Sequence, residues 1–237
     1  MALTAAGIER ILTLAAMVFA YFFSMTMNGY LQARIALWLG DNTPETAGYL
    51  SLNPLAHFNV FGFIGFASML LHGIGWIQSM PVDPHAVHGK HRNVKLALLF
   101  GSGVFIPLIT AIFAFIGLVL TLDVHQFELV QRMFHSIVVP INELGARYPT
   151  TSSFSLVIAL FLMALVFFNV FITALNVVFN GFWYVIAVGF DNGYSYAKHA
   201  DFLGLIVPLL LIIFFGDFLR YVLLYGIKYV AYLVGAF

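Results

Sequence analysis

Long apolar runs limit what this chain can fold into more than any other feature of its sequence. The longest covers residues 154 to 189 and contains no Asp, Glu, Lys, Arg or His. Other mostly apolar runs cover residues 8 to 39, 60 to 78, 95 to 121 and 203 to 235. About twenty apolar residues let a helix cross a bilayer, where every backbone polar group must be hydrogen-bonded within the protein. The sequence therefore predicts a polytopic α-helical membrane protein.

The composition supports this class and excludes several others. Only 8% of the residues are charged and 62% are hydrophobic, whereas soluble domains have about 25% charged residues. The unbroken apolar runs argue against a membrane barrel, whose strands alternate over roughly ten residues. A formal net charge of zero gives no reason to expect a nucleic-acid partner. The absence of cysteine excludes disulfides and thiolate metal sites.

The order of the apolar runs predicts a single membrane domain over residues 1–237 with five to six membrane segments. The run at residues 154 to 189 is too long for one straight span, so we expect a break near Asn180 and Gly181. A helix lying at the membrane interface is expected within residues 123 to 150. The basic residues Lys90, Arg92 and Lys95 favour a cytoplasmic position for the loop from His85 to Lys95. We expect a bacterial inner membrane or an organelle inner membrane.

Three sequence stretches together resemble one known family. They are "GDNTPETAGYLSLNPLAHFNVFG" at residues 40 to 62, "GIGWIQSMPVDP" at 73 to 84 and "LALLFGSG" at 96 to 103. In order and spacing they resemble the site-2 protease family of intramembrane zinc metalloproteases. The resemblance implies a site-2-protease-type core at about residues 10–180, with an additional C-terminal membrane segment at about residues 203–235. It also implies structural roles for the motif positions Gly40, Asp41, Asn53, Pro54, His57, Pro81 and Pro84.

The zinc chemistry of that family depends on residues that this chain lacks at the matching positions. The family's HExxH motif places two histidine ligands on one helix face, with a glutamate as general base. Residues 28 to 32 of this chain read "NGYLQ", so amides replace both histidines and Gly29 replaces the glutamate. The family's third ligand is an aspartate, and its position falls on Asn176 or Val177. The resemblance thus predicts a pseudoprotease that is not an enzyme and holds no zinc or other cofactor.

Amides on two helix faces suggest a hydrogen-bond network where the family holds its metal. Ser24, Asn28 and Gln32 are spaced to share one face of the first helix. A later helix presents Asn169, Thr173, Asn176 and Asn180 at similar spacing. Because the resemblance brings these faces together, we expect the amides to pin the two helices. The alternative is that each side chain bonds separately to backbone or water.

The predicted function is a structural or accessory subunit of a membrane protein complex, in contact with lipid and with other integral membrane subunits. Two alternatives stay open: an active intramembrane zinc metalloprotease with displaced ligands, and a conduit for small molecules or ions. Asp217 and Arg220 are three residues apart in an apolar run and are expected to form an ion pair within the membrane.

The remaining histidines have ordinary explanations. His85, His88 and His91 could form a metal site, but a solvated basic loop explains them better because Pro84 and Gly89 interrupt any helix there. Haem ligation by His57 or His72 is conceivable, but buried or interfacial structural histidines are the simpler interpretation.

Overall fold

The computed structural model describes residues 5–72, 74–77, 80–122, 127–128, 130–131, 153–189 and 196–235. Within these residues, all the regular secondary structure is helical. The elements in chain order are α1 (Ala5–Leu39), α2 (Thr43–Thr46), a 3-10 turn (Pro54–His57), α3 (Val60–His72), α4 (Arg92–Thr121), α5 (Ser153–Gly189) and α6 (Tyr196–Leu233).

The first helix ends where the family-like motif begins. Gly40 adopts a left-handed φ of 103°, which glycine accepts without the steric cost that a Cβ would impose. The Gly40 amide donates to the Leu37 carbonyl at 3.1 Å, and the Asp41 amide donates to the Ala36 carbonyl at 2.9 Å. This pair of hydrogen bonds is the Schellman arrangement, which satisfies the last carbonyls of a helix. After this turn the chain continues directly into the segment that contains α2 and the 3-10 turn.

The second apolar run forms a short helix and not a full span. Helix α3 has 13 residues and is followed by residues 74–77 without regular structure. Two side chains satisfy the backbone in this region. The Tyr21 hydroxyl of α1 lies 2.9 Å from the carbonyl oxygens of Gly62 and Trp76, and the Ser68 hydroxyl donates to the Ile74 carbonyl at 2.9 Å. Side-chain partners therefore allow the backbone to leave the helix in a buried region, where unpaired carbonyls are costly.

Helix α5 passes through the predicted break without interruption. It extends over 37 residues, so the expected break near Asn180 and Gly181 is wrong. The side-chain amide of Asn180 donates to the Phe100 carbonyl of α4 at 3.0 Å, so this residue joins two helices and does not end one. A Cβ on Gly181 would meet nothing within 4 Å, so the glycine marks neither a turn nor a close contact.

Three helices are long and apolar enough to cross a membrane: Arg10–Leu39, Arg92–Thr121 and Val157–Gly189. Helix α6 contributes a fourth span if its two parts, Ile206–Phe214 and Gly216–Leu233, count as one span bent by 83°. The described residues thus contain three to four candidate spans, and the predicted five to six are not confirmed. The proposed interfacial helix at residues 123 to 150 lies mostly outside the described residues.

The core surrounds α1 and α5. One apolar cluster joins the first half of α1 to α3, to Ile74 and Trp76, and to the middle of α5. A second cluster joins the end of α1 to the start of α4, to the loop residues Tyr49, Met80 and Val87, and to Trp183 of α5. The polar residues discussed below lie on α1 and α5 between the two clusters.

The contact between α3 and residues 74–77 makes a testable prediction. A Cβ at Gly65 would collide with the carbonyl oxygen of Trp76, which is backbone and cannot rotate away. We expect Gly65→Ala to lower the free energy of unfolding by about 1–3 kcal/mol, the usual cost of overpacking. Thermal unfolding of the purified protein in detergent measures this change.

Gly62→Ala is the matched control on the same helix. Its Cβ would lie 3.5 Å from Asn59 Oδ1, an ordinary contact, and alanine favours a helix over glycine by roughly 1 kcal/mol. Equal melting temperatures for the two variants would contradict the role of this close approach.

Candidate functional site

A small polar pocket lies where four stretches of the chain meet. The space open to water-sized molecules is about 20 Å³, enough for about one such molecule. Its lining comes from α1, from the loop that follows α1, from residues 77 and 80, and from α5. The lining residues are Met25, Asn28, Gly29, Gln32, Tyr49, His57, Ile77, Met80, Ile172, Asn176 and Asn180.

A capped 3-10 turn positions His57 over this pocket. Asn53 accepts a hydrogen bond from the Leu55 amide at 3.1 Å, and Pro54 occupies the first position of the turn, where no amide donor is needed. The turn ends at His57, which is 3% exposed and packs edge-on against the Tyr49 ring. The sequence "LNPLAH" therefore builds a turn that holds one imidazole against α1.

The buried carboxylate of Asp41 holds the loops in place around the pocket. Asp41 is fully buried, and each of its oxygens accepts one backbone amide. Oδ1 accepts from Thr43 and Oδ2 from Asp83, both at 2.9 Å. The same loop is tied to the end of α5, because Arg92 donates to the carbonyls of Pro84 and Ala187 at 3.3 and 3.5 Å. Pro84 is buried and Pro81 is half-buried in this loop.

Asn169 links α5 to α1 on the side of the pocket nearest the first apolar cluster. Its Nδ2 donates to the Leu165 carbonyl and to the Ser24 hydroxyl, both at 2.8 Å. Its Oδ1 therefore faces the opposite way and accepts from Asn28 Nδ2 at 3.0 Å. Asn169, Ser24 and Asn28 are all at most 2% exposed. Three of the residues singled out from the sequence are thus joined in one hydrogen-bonded chain.

The other two asparagines of α5 bond to α4. Asn176 Nδ2 donates to the Gly103 carbonyl, and Asn180 Nδ2 donates to the Phe100 carbonyl. A Cβ on Gly103 would collide with Asn180 Nδ2 and would lie 3.3 Å from Gln32 Oε1, so a glycine is needed where α4 approaches these amides. Among the described residues Thr173 bonds within its own helix, to the Asn169 carbonyl at 2.7 Å. Asn28, Gln32, Asn176 and Asn180 line one pocket, and their role in pinning the helices stays a prediction.

Two buried acceptor atoms at this pocket have no hydrogen-bond partner among the residues that the structure describes. They are Asn28 Oδ1 and His57 Nδ1. His57 Nε2 lies 2.6 Å from the Ser51 carbonyl, so this ring nitrogen carries the proton and Nδ1 is left as an acceptor. A Cβ on Gly29 would lie 2.5 Å from His57 Nδ1. Glycine at this position is therefore what allows the imidazole to reach α1.

The zinc ion implied by the family resemblance does not fit this donor set. Zinc in proteins is held by Cys, His, Asp or Glu, with three protein ligands in catalytic sites. Among the lining residues only His57 supplies such a donor, and the other nitrogen and oxygen donors are amides and a tyrosine. Within the described ranges no group of three or more His, Cys, Asp or Glu could hold a metal. We therefore derive no step through zinc at this pocket.

The other residues singled out from the sequence lie away from the pocket. His91 precedes α4 with a left-handed φ of 63°, and His85, His88 and His91 belong to no metal-holding group among the described residues. Arg220 donates to Asp217 at 3.0 Å on α6, and only the arginine is buried. His72 ends α3, and its side chain lies outside the described residues.

Sequence reasoning missed the apolar part of the pocket lining. Met25, Ile77, Met80 and Ile172 carry no motif, and Tyr49 was not singled out. Met25 lies three residues before Asn28 and seven before Gln32, so helical spacing alone could have placed it on the polar face. Nothing in the local sequence marks Met80, which reaches the pocket through the folding of its loop.

Comparison with known proteins finds a partial relative. The chain is 34% identical over 113 residues to "Putative zinc metalloprotease YwhC" of Bacillus subtilis (strain 168). The match covers 47% of this chain, and the chain spans only 47% of the length of that relative. No protein-family model and no solved structure matches the chain. The partial match supports a site-2-protease-like resemblance, and the degeneracy inferred from the sequence is not shown.

This match contradicts the prediction that the chain is not an enzyme. The relative carries the name of a protease, which points toward a protease and away from a pseudoprotease. The prediction was drawn from four missing groups at motif positions. A missing motif does not determine which donors a chain brings together, because ligands can come from positions that are distant in sequence. An inactive accessory role is likewise not supported by the comparison.

The hydrogen bonds of Asn169 yield a second testable prediction. Asn169→Leu keeps the side-chain size but leaves Ser24 Oγ and Asn28 Nδ2 without their partner on α5. Hydrogen bonds between membrane helices average about 0.6 kcal/mol each, and two unpaired buried groups add to the loss. We expect the free energy of unfolding in mixed micelles to fall by about 1–3 kcal/mol.

Thr173→Val is the matched control one turn further along α5, because the Thr173 hydroxyl bonds only within its own helix. We expect it to change the free energy of unfolding by less than about 0.5 kcal/mol. If the two variants lose the same stability, Asn169 does not join the helices.

Proposed function

We propose that this chain is an intramembrane protein of site-2-protease type that binds a membrane-spanning segment of another protein beside the pocket. The observation that carries the proposal is the meeting of three distant stretches at one place. The stretch matching the family's HExxH segment, the LNPLAH turn and the stretch matching the family's third-ligand helix all line the pocket. The resemblance predicts that the first and the last of these stretches surround the metal site, and it gives the LNPLAH turn a structural role.

The surface next to the pocket is suited to an apolar client. Leu52 precedes the 3-10 turn and Leu55 lies within it, and they are 60% and 72% exposed. Val60 and Phe63 continue this exposed apolar surface onto α3. A membrane-spanning segment could pack against these side chains while its backbone approaches the amides of α1 and α5. Peptide-bond cleavage is the activity that the name of the relative suggests for such a client.

Photo-crosslinking tests the proposal. A photoreactive amino acid placed at Leu55 in the full chain, in native membranes, is expected to crosslink to a membrane-spanning segment of one recurrent protein. The same probe at Phe113, which is 70% exposed on α4, should label mainly lipid. Mass spectrometry of the labelled protein shows whether its chain is cut within that segment. A cut would extend the activity named for the relative to this chain.

A variant that closes the pocket tests whether client binding depends on it. Gly29→Ala places a Cβ 2.5 Å from His57 Nδ1 and must displace the 3-10 turn, so we expect crosslinking from Leu55 to fall about tenfold. Gly181→Ala is the control, since its Cβ meets nothing within 4 Å. Crosslinking to the same proteins from Leu55 and Phe113, or equal crosslinking in both glycine variants, would overturn the proposal.

A second function, assembly with another membrane subunit, is favoured by a separate observation on α6. The Asp217 side chain is 88% exposed, while its partner Arg220 is 5% exposed. Phe214, Phe218 and Tyr221 beside it are also exposed. An exposed carboxylate on an apolar helix is costly in lipid, and a polar group of a neighbouring membrane protein would remove that cost.

Asp217→Asn tests this assembly. We expect the complex extracted in mild detergent to lose its partner and to shift to a smaller size in gel filtration. Glu128→Gln is the control, because Glu128 pairs with Lys228 within the chain at 2.9 Å. An unchanged elution volume for Asp217→Asn would exclude Asp217 as a subunit contact.

The membrane type and the cytoplasmic side of the loop from His85 to Lys95 stay predictions.

A further inference from the structure

Two side-chain amides of the pocket are oriented by the bonds that their nitrogens make. Asn176 Nδ2 donates to the Gly103 carbonyl and Asn180 Nδ2 donates to the Phe100 carbonyl, both on α4. A carbonyl oxygen can only accept a hydrogen bond, so each amide must present its nitrogen to α4. The side-chain oxygens of Asn176 and Asn180 are therefore left as acceptors, and the described residues provide no donor to them.

Gln32 of α1 approaches the same point on α4. A Cβ on Gly103 would collide with Asn180 Nδ2 and would lie 3.3 Å from Gln32 Oε1, so side chains from two different helices converge there. The Gln32 amide has no hydrogen-bond partner among the described residues, so it can present either its oxygen or its nitrogen to the pocket. One rotatable amide and two fixed oxygens thus lie where α1, α4 and α5 meet.

A polar group from outside the chain can reach these three amides. Gln32, Asn176 and Asn180 are half-buried, whereas Asn28 Oδ1 and His57 Nδ1 are fully buried. The open space of about 20 Å³ admits one water-sized group. The three half-buried amides are therefore the part of the polar lining that an outside group can contact.

The lining selects the chemistry of that group. No carboxylate, lysine or arginine lines the pocket, so an ammonium or a carboxylate there would keep its charge uncompensated. The two fixed oxygens require a hydrogen-bond donor, and the Gln32 amide can donate in return. A hydroxyl meets both requirements, because it donates one hydrogen bond and also accepts. A side-chain amide or an imidazole is larger than one water-sized group.

We propose that the pocket recognises the side-chain hydroxyl of a serine within the membrane-spanning segment of the client. This inference rests on the proposed function, because the serine belongs to the client that binds beside the pocket. Apolar residues of the segment pack against Leu52 and Leu55 while the hydroxyl enters the pocket. Serine carries its hydroxyl on a single methylene, which suits the small space, whereas threonine adds a methyl group. A water molecule is the competing occupant.

Synthetic membrane-spanning peptides test the proposal. Each probe is a run of about twenty leucines flanked by lysines, with serine or alanine at one of several consecutive central positions. The full chain has no cysteine, so Trp38→Cys at the exposed end of α1 carries a single dye, and energy transfer from a labelled peptide in lipid bilayers gives the Kd. We expect serine to bind about fivefold more tightly than alanine at one register only, because only that register brings the hydroxyl to the pocket.

Variants of the chain assign this preference to the amides. Gln32→Met and Asn176→Leu should each reduce the ratio of the two Kd values to less than about twofold. Gln32→Met leaves no described group without a partner, so it tests recognition without disturbing the bonds between α4 and α5. Thr173→Val is the matched control, because Thr173 lies on α5 and is not part of the pocket lining, and it should keep the full preference.

Three results would overturn the proposal. They are equal binding of serine and alanine peptides at every position, a serine preference that is the same at all positions, and a preference that survives both Gln32→Met and Asn176→Leu. The first result would leave a water molecule as the occupant, and failure of every peptide to bind would also end the proposal. Client binding itself is judged by crosslinking from Leu55, so failure of hydroxyl recognition and failure of the proposed function can be told apart.

Discussion

The side-chain amide of Asn169 is the interaction around which the polar interior is organised. In a bundle with mostly apolar helix surfaces, packing alone leaves the rotation and register of neighbouring helices weakly specified. Asn169 removes this freedom between α1 and α5, because its two ends bond to Ser24 and Asn28 and its orientation is set by the Leu165 carbonyl. Each such bond is weak in a membrane, but its direction decides which way the next amide faces. The unpaired oxygen of Asn28 follows from that order.

The loop after α1 depends on a second fixed group, the buried carboxylate of Asp41. Its two oxygens hold one amide from the turn after α1 and one from the loop before α4. Both segments must therefore fold against the end of α1, and the intervening chain, with its capped 3-10 turn, is kept near the same helix. His57 reaches Gly29 through this arrangement. The pocket is thus formed by loop turns that side chains hold in place and by the face of α1 at Gly29, which has no Cβ.

The sequence predicted the helices well where long apolar runs had one explanation. Helices α1 and α4 begin within three residues of the predicted runs and end at the predicted residues. The predicted full span at residues 60 to 78 and the predicted break near Asn180 were wrong, because hydropathy does not show which side chains will bond to the backbone. Tyr21 and Ser68 satisfy the backbone after α3, and α4 accepts the Asn180 amide. The resemblance singled out the polar lining residues of α1 and α5 and His57 of the LNPLAH turn, but not the apolar lining residues, of which Met80 depends on the fold of a loop.

The absence of HExxH illustrates a limit of inference from motifs. The motif identifies one way of placing ligands on a helix, and the prediction of inactivity treated it as the only way. The structure shows that glycine at position 29 has a steric consequence, because it admits His57 to the face where the family carries its glutamate. An imidazole from the loop thus occupies the side of α1 that the motif would have used. What this pocket binds is then decided by the side chains that converge on it, above all by the amides of α1 and α5.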